Sequence, residues 1–317
     1  MSARPASRSA VTARADAFVE AHLAQARGLG YALAELVDRP PEFQAALEDG
    51  LAALADPEYA EGMARIAPGV GPVAGVRTPL LQAISRGLRP TLRTMSSSEA
   101  LWLALPLAGA THFETRTFAV TLLRRSLAAD PERSWQIIRA MASAASSWVD
   151  VDTLARATAL GVVTEAYRWT ELEQFSCSPS RWERRLVGST IATLPSELPR
   201  HGRAALVDSP ALRLIASLMG DPEPDVQKAL SWALRTWGLV DPAGTAALLQ
   251  AETERAATTG DGNRAWVIRD SLQAVPATTA AALRQRLAGI RRHSGAATGR
   301  SAPAPAPTEP TDRSAVA

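Results

Sequence analysis

Trp148 and Asp152 stand four residues apart in the stretch SSWVDVDTLA, residues 146–155. At that spacing on a helix two side chains share a face. A carboxylate in that position can oppose a developing positive charge and orient or deprotonate water. An indole face attracts cations, by about 0.5–2 kcal/mol. Ala155 and Ala159 continue the stripe with small side chains, while Val151, Leu154 and Val162 form the neighbouring apolar stripe that should meet a core. The plainer alternative is a surface acid paired with Arg156, again four residues on. Asp150 falls on another face, as a solvated or capping acid.

Two further stretches set polar residues off an apolar stripe. In DVQKALSWALRTWG, residues 225–238, the core set is Val226, Leu230, Ala233, Leu234 and Trp237, and Lys228, Trp232 and Arg235 fall opposite. A Trp between two cations suits a stacking platform in a basic groove; the plainer reading is a rim Trp half covered by its neighbour. In RWERRLVGSTIATL, residues 181–194, Trp182, Leu186, Val187, Ile191 and Leu194 read as core. Arg185 lies off that face, accompanied by Gly188 and Ala192. Small neighbours would let another molecule's backbone approach while the guanidinium grips a phosphate. Taken alone, Arg185 reads first as a solvated arginine on a helix surface.

The elements that must position these residues are helices. Apolar residues recur at i, i+3, i+4 and i+7 in blocks of about 12–18 residues, with no convincing alternating strand. Turn signals separate the blocks: DRPP, ADPE, APGVGP, LAADPE, MGDPEPD and LVDPAG. Several are Asp-Pro pairs, in which Asp caps a helix and Pro occupies its first turn. The helices pair at about 35–45 residues per unit, the range of HEAT-like repeats. The expected fold is all-α: a HEAT-like solenoid whose stacked pairs curve around a concave, basic surface. Residues 1–10 are expected to be disordered, 11–40 to be a helical N-terminal extension contributing a helix pair, 41–293 to be the repeat domain, and 294–317 a disordered Pro/Ala-rich tail.

The net charge of +2 favours no partner by itself, but it is uneven. Residues 1–60 carry 5 Arg against 9 acids, and residues 61–200 carry 16 Arg against 12. The middle is therefore where a polyanion should bind. Lys228 is the sole lysine; every other basic side chain besides the four His is Arg. A GC-rich coding sequence accounts for much of that bias. The single cysteine, Cys177, excludes an intrachain disulfide, and the scattered His22, His112, His201 and His293 suggest no metal site. The chain starts without an apolar leader and has no segment apolar enough to span a bilayer, so a cytoplasmic protein is expected.

Together these stretches resemble the HEAT-repeat DNA alkylation-repair glycosylases of the AlkD type. The resemblance runs from about Phe43 to about Arg292, through PEYAEGMARI (57–66), GVRTP (75–79), LWLALP (101–106), WVDVD (148–152), WERR (182–185) and VQKALSWALR (226–235). It implies a monomeric, cofactor-free, metal-free enzyme acting on double-stranded DNA that contains N3- or N7-alkylated purines, without base flipping. Bulky adducts, including those of a self-made alkylating product, fall within that reading. By this resemblance the catalytic residues are Asp152, Trp148 and Trp232. Arg185 would clamp the lesion's phosphate, and Lys228, Arg235 and Arg77 would hold flanking phosphates. Thr78-Pro79 reads as an N-cap and first helical residue, whose N–H groups would meet a phosphate. Two positions depart from the family pattern: Ile66, where a Tyr can stand, and Arg77, where Gln is common. The alternative is a non-catalytic repeat protein that binds damaged or distorted duplex.

Overall fold

The computed structural model describes residues 10–292, and these form an all-α helical-repeat solenoid with no strand among them. The α-helices are α1 (Ala10–Ala34), α2 (Pro40–Ala53), α3 (Pro57–Ile66), α4 (Thr78–Thr94), α5 (Ser97–Ala108), α6 (Phe113–Ser126), α7 (Pro131–Ala144), α8 (Trp148–Thr164), α9 (Arg168–Ser176), α10 (Arg181–Glu197), α11 (Ala211–Leu218), α12 (Pro224–Val240), α13 (Pro242–Thr259), α14 (Gly262–Ser271) and α15 (Ala277–Arg286). Short 3-10 turns cover Arg200–Leu206 and Leu272–Ala274. The expected disorder at the two ends falls outside the described residues, except that Ala10 already begins α1.

The Asp-Pro punctuation acts as read. Asp56 accepts from the backbone N–H groups of Glu58 and Tyr59, Asp130 from Arg133, and Asp241 from Gly244, with Pro57, Pro131 and Pro242 opening the helices. Each cap satisfies N–H groups that a helix start leaves without partners. At α4 the register shifts by one: Arg77 is the N-cap, without a side-chain bond, and Thr78 is the first helical residue.

One layer stacks α6 on α8, α8 on α10, α10 on α12 and α12 on α14. A second layer covers it, with α7 on α8, α9 on α10, α11 on α12 and α13 on α14. The core runs continuously through the stack, from Phe43 and Leu47 through Trp135 and Ile191 to Trp237 and Ile268, all fully buried. Close approach within the first layer depends on small residues. A Cβ at Gly188 on α10 would sit 2.9 Å from the carbonyl carbon and Cβ of Ala229 on α12. Gly188 therefore serves the neighbouring helix, not the approach of another molecule, and Ala192 is buried as well.

The N-terminal extension is one helix, not a pair. α1 lies along α4. A Cβ on Gly30 would collide with the Ile84 carbonyl oxygen, and one on Gly87 would sit 2.6 Å from that of Arg27, so the two backbones meet glycine to glycine. Arg14 reaches across to Asp56 at 3.6 Å and to Glu58. The extension is thereby joined to the repeat stack. No helix among the described residues is long and apolar enough to cross a membrane.

Candidate nucleic-acid site

The site forms where the N-terminal halves of α8, α10 and α12 lie side by side. Ser147 caps α8: its hydroxyl accepts from the Asp150 N–H at 3.3 Å and donates to the Asp150 carboxylate at 2.9 Å. That cap fixes Trp148 as the first helical residue and turns Asp152 toward α10. Arg185 donates to Asp152 through a two-point fork, Nε to Oδ1 at 3.1 Å and Nη2 to Oδ2 at 2.8 Å. Ser189, one turn further along α10, donates to Oδ1 at 2.6 Å. Arg185 Nη1 donates to the Asp225 carbonyl oxygen at 2.6 Å, which ties α10 to the first turn of α12. The Arg185 guanidinium also lies 5.9 Å from the Trp148 ring centre, within cation–π range.

These residues border an open pocket of about 240 Å³ lined by Trp148, Asp152, Arg185, Asp225 and Lys228. Four of the expected residues are thus brought together, with Asp225 as an unforeseen fifth. Trp232 stands one turn beyond Lys228 on α12, half-buried against the core and not among the lining residues. Ala155 and Ala159 do not extend the open stripe; both are fully buried, with the Ala155 carbonyl oxygen accepting from Thr193 of α10 at 3.3 Å.

Several expected partners differ. Asp152 pairs with Arg185, whereas Arg156 lies 3.8 Å from Glu197. Arg185 is only 5% exposed, so its fork serves Asp152 and is not held out for a phosphate. Arg235 is bound to Asp270 at 2.8 Å, and Arg77 to Asp56 through Nε at 2.8 Å and Nη2 at 2.7 Å, with its guanidinium over Tyr59. Of the two readings of Asp150, solvated or capping, the second holds: it shares the Ser147 cap, and Arg116 holds its carboxylate at 2.8 Å.

Arg116 also ties together the elements behind the site. It donates to the carbonyl oxygens of Val70, Ala110 and Thr111, so the segment after α3 is fastened to α6 and α8 together. Glu114, fully buried, accepts from three successive backbone N–H groups, Ala74, Gly75 and Val76. Within this segment Gly69 has φ 88°, a left-handed conformation, and packs on the Ser146 carbonyl oxygen. The Trp148 indole N–H donates to the Ile66 carbonyl oxygen at 3.2 Å, and the Ile66 side chain is 62% exposed. The departure at Ile66 therefore borders the site itself. Asp56 anchors the far end of this segment. Burial raises its pKa, but the hydrogen bonds from Arg77 and Tyr59 and the charges of Arg77 and Arg14 outweigh that and hold the carboxyl below its ordinary value.

Sequence reading missed Ser189, Asp225 and the Arg116–Asp150 pair. Ser189 carried a signal, since it sits four residues after Arg185 on the same helix. Asp225, three residues before Lys228, carried the same kind.

No curated protein matches this chain. The family model described as DNA alkylation repair enzyme matches residues 47–272, a span that includes every helix of the site and well over half of the sequence, and the chain belongs to that family.

Proposed function

We propose that this protein is a DNA glycosylase that hydrolyses the N-glycosidic bond of positively charged N3- or N7-alkylated purines in duplex DNA. One observation carries the reading: the carboxylate of Asp152 is fixed by a two-point guanidinium fork and a hydroxyl at the edge of an open pocket beside an indole. Alkylation makes the purine a cationic leaving group, so the bond to C1′ is already weak. As it breaks, the deoxyribose gains oxocarbenium character. A preorganised carboxylate stabilises that charge without reorganising and can orient the attacking water.

Asp152 is suited to this because its geometry is set from outside. Arg185 and Ser189 act as positioning residues: they hold both carboxylate oxygens and leave lone-pair capacity facing the pocket. Trp148 supplies an aromatic face to the sugar's cationic C–H groups. Trp232 would add a second face once the duplex draws against α12. Lys228 is the cation best placed for the lesion's phosphate. Arg235, Arg77 and the N-terminal end of α4 at Thr78 would take flanking phosphates, the two arginines by exchanging their carboxylate partners. The pocket is open to solvent, which fits a sugar gripped from the backbone while the base stays stacked, and so tolerates bulky adducts. The protein would act as a cytoplasmic monomer.

The test is base release from duplex carrying a defined alkylpurine, with Asp152→Asn beside the parent. Free base and an abasic site are expected from the parent alone. Equal release by both would remove Asp152 from the chemistry, and salt-dependent binding with no release by either would leave a non-catalytic sensor of damaged duplex.

A further inference from the structure

The cations around the pocket are almost all spent. Arg185 is on Asp152, Arg184 donates to Asp221 at 2.6 Å, Arg181 lies 3.5 Å from Glu223, Arg235 is on Asp270 and Arg116 is on Asp150. Lys228 is the exception. Its side chain lines the pocket and has no hydrogen-bond or ion-pair partner among the described residues. It is also the only lysine in a chain of 317 residues that otherwise uses arginine. A guanidinium serves a phosphate at least as well as an ammonium does. What an arginine at this position lacks is an amine nucleophile. Asp225, three residues earlier on α12, lines the same pocket, is 1% exposed and keeps its Oδ2 without a donor. The Asp225 oxygen is shut away from solvent, so the group left to meet the space assigned above to the deoxyribose is the unpartnered amine of Lys228.

We propose that Lys228 takes the abasic product covalently, as a reversible imine. Loss of the base leaves a sugar whose ring-opened form is an aldehyde at C1′. The Nζ lone pair of the neutral amine adds to that carbon, one proton passes from nitrogen to the former carbonyl oxygen to give the carbinolamine, and a second follows as the C–O bond breaks, so that the oxygen leaves as water. The net change is aldehyde plus amine to imine plus water, with no oxidant or reductant. Hydrolysis reverses the bond, so the enzyme would hold a cytotoxic intermediate until it is passed on. The inference rests on the deoxyribose site of the proposed function, but its test can be read separately from that function.

The full-length protein is incubated with duplex carrying a preformed abasic site, with sodium cyanoborohydride to reduce any imine to a stable secondary amine. The expected result is a covalent protein–DNA species whose adduct maps to the peptide containing Lys228. Trapping, normalised to the fraction of duplex bound before reduction, should be lost in both Lys228→Arg and Lys228→Gln, each checked for native helicity. A parent that binds the abasic duplex without trapping, a variant that traps like the parent, or an adduct mapping to the N-terminal amine would each overturn the proposal. Base release from alkylpurine duplex is run in parallel with the parent. Release without trapping sinks the imine and leaves the glycosylase; trapping without release does the reverse.

Discussion

Two buried arginines of this protein look alike in composition and differ in consequence. Arg168, at the start of α9, is 1% exposed and stands over Trp135 at 4.8 Å and Tyr167 at 4.6 Å. Arg185 is 5% exposed and lies near Trp148. Arg168, however, faces three carboxylates: Glu165 and Glu132 through Nη2 at 2.7 and 2.9 Å, and Glu171 through Nη1 at 2.6 Å. Arg185 faces one, and its remaining bond goes to a main-chain carbonyl. In the first cluster the guanidinium is the centre and the acids surround it. In the second the acid is presented to a cavity and the guanidinium stands behind it. An arginine, a carboxylate and an indole do not by themselves mark a site; what marks it is which group is left facing open space.

The sharpest way to break that contrast is to neutralise each centre. Asp152→Asn should lower base release per folded molecule by about 10²–10⁴-fold, the usual worth of a positioned acid–base group. Arg168→Leu should do the opposite. Stranding acids beside a buried gap should lower stability by about 3–5 kcal/mol, seen in denaturant unfolding, while release per folded molecule stays at the parent rate. Arg185→Lys keeps the charge and loses the fork, so Asp152 should lose its aim and release should fall by about 10²-fold. That loss should appear in kcat more than in KM; a change confined to KM would return Arg185 to the role of a phosphate contact.

The smallest effect concerns the seam between α3 and α4. The Asp56 carboxyl sits below its ordinary value in the fold because Arg77, Tyr59 and Arg14 favour its charged form over the opposing effect of burial. A lowered folded pKa stabilises the protein above the unfolded value and loses that contribution as pH falls through the folded one. Stability should therefore decline below about pH 4, the unfolded range of Asp. Asp56→Asn keeps a capping side chain but weakens the bonds from Arg77, so it should flatten this decline and cost about 1 kcal/mol at neutral pH. An unchanged acid slope in the variant would assign the acid sensitivity elsewhere.

Much of the fold was legible because helix faces and caps are local properties. The stripe Val226, Leu230, Ala233, Leu234 and Trp237 is fully buried as read, and α3 begins and ends where PEYAEGMARI does. What was not legible is what each face meets. A helical wheel shows Ala155, Ala159 and Gly188 as small residues off the apolar stripe. Only the stack reveals that a neighbouring helix fills that space. The same limit applies to charge. Arg77, Arg185 and Arg235 read as free cations, because their partners Asp56, Asp152 and Asp270 lie 21 to 35 residues away in sequence. The extension was expected as a helix pair over residues 11–38; α1 instead finds its partner in α4, through a glycine crossing that no periodicity announces.

The bond from the Trp148 indole to the Ile66 carbonyl oxygen spans 82 residues of chain. It makes one wall of the pocket a property of the seam between the N-terminal helices and the central stack, not of α8 alone. Spreading that seam would release the indole before it disturbed the carboxylate, whose supports all lie on α10. The aromatic half of the site is therefore the part that can respond to how the solenoid bends around its load, while the acidic half stays fixed.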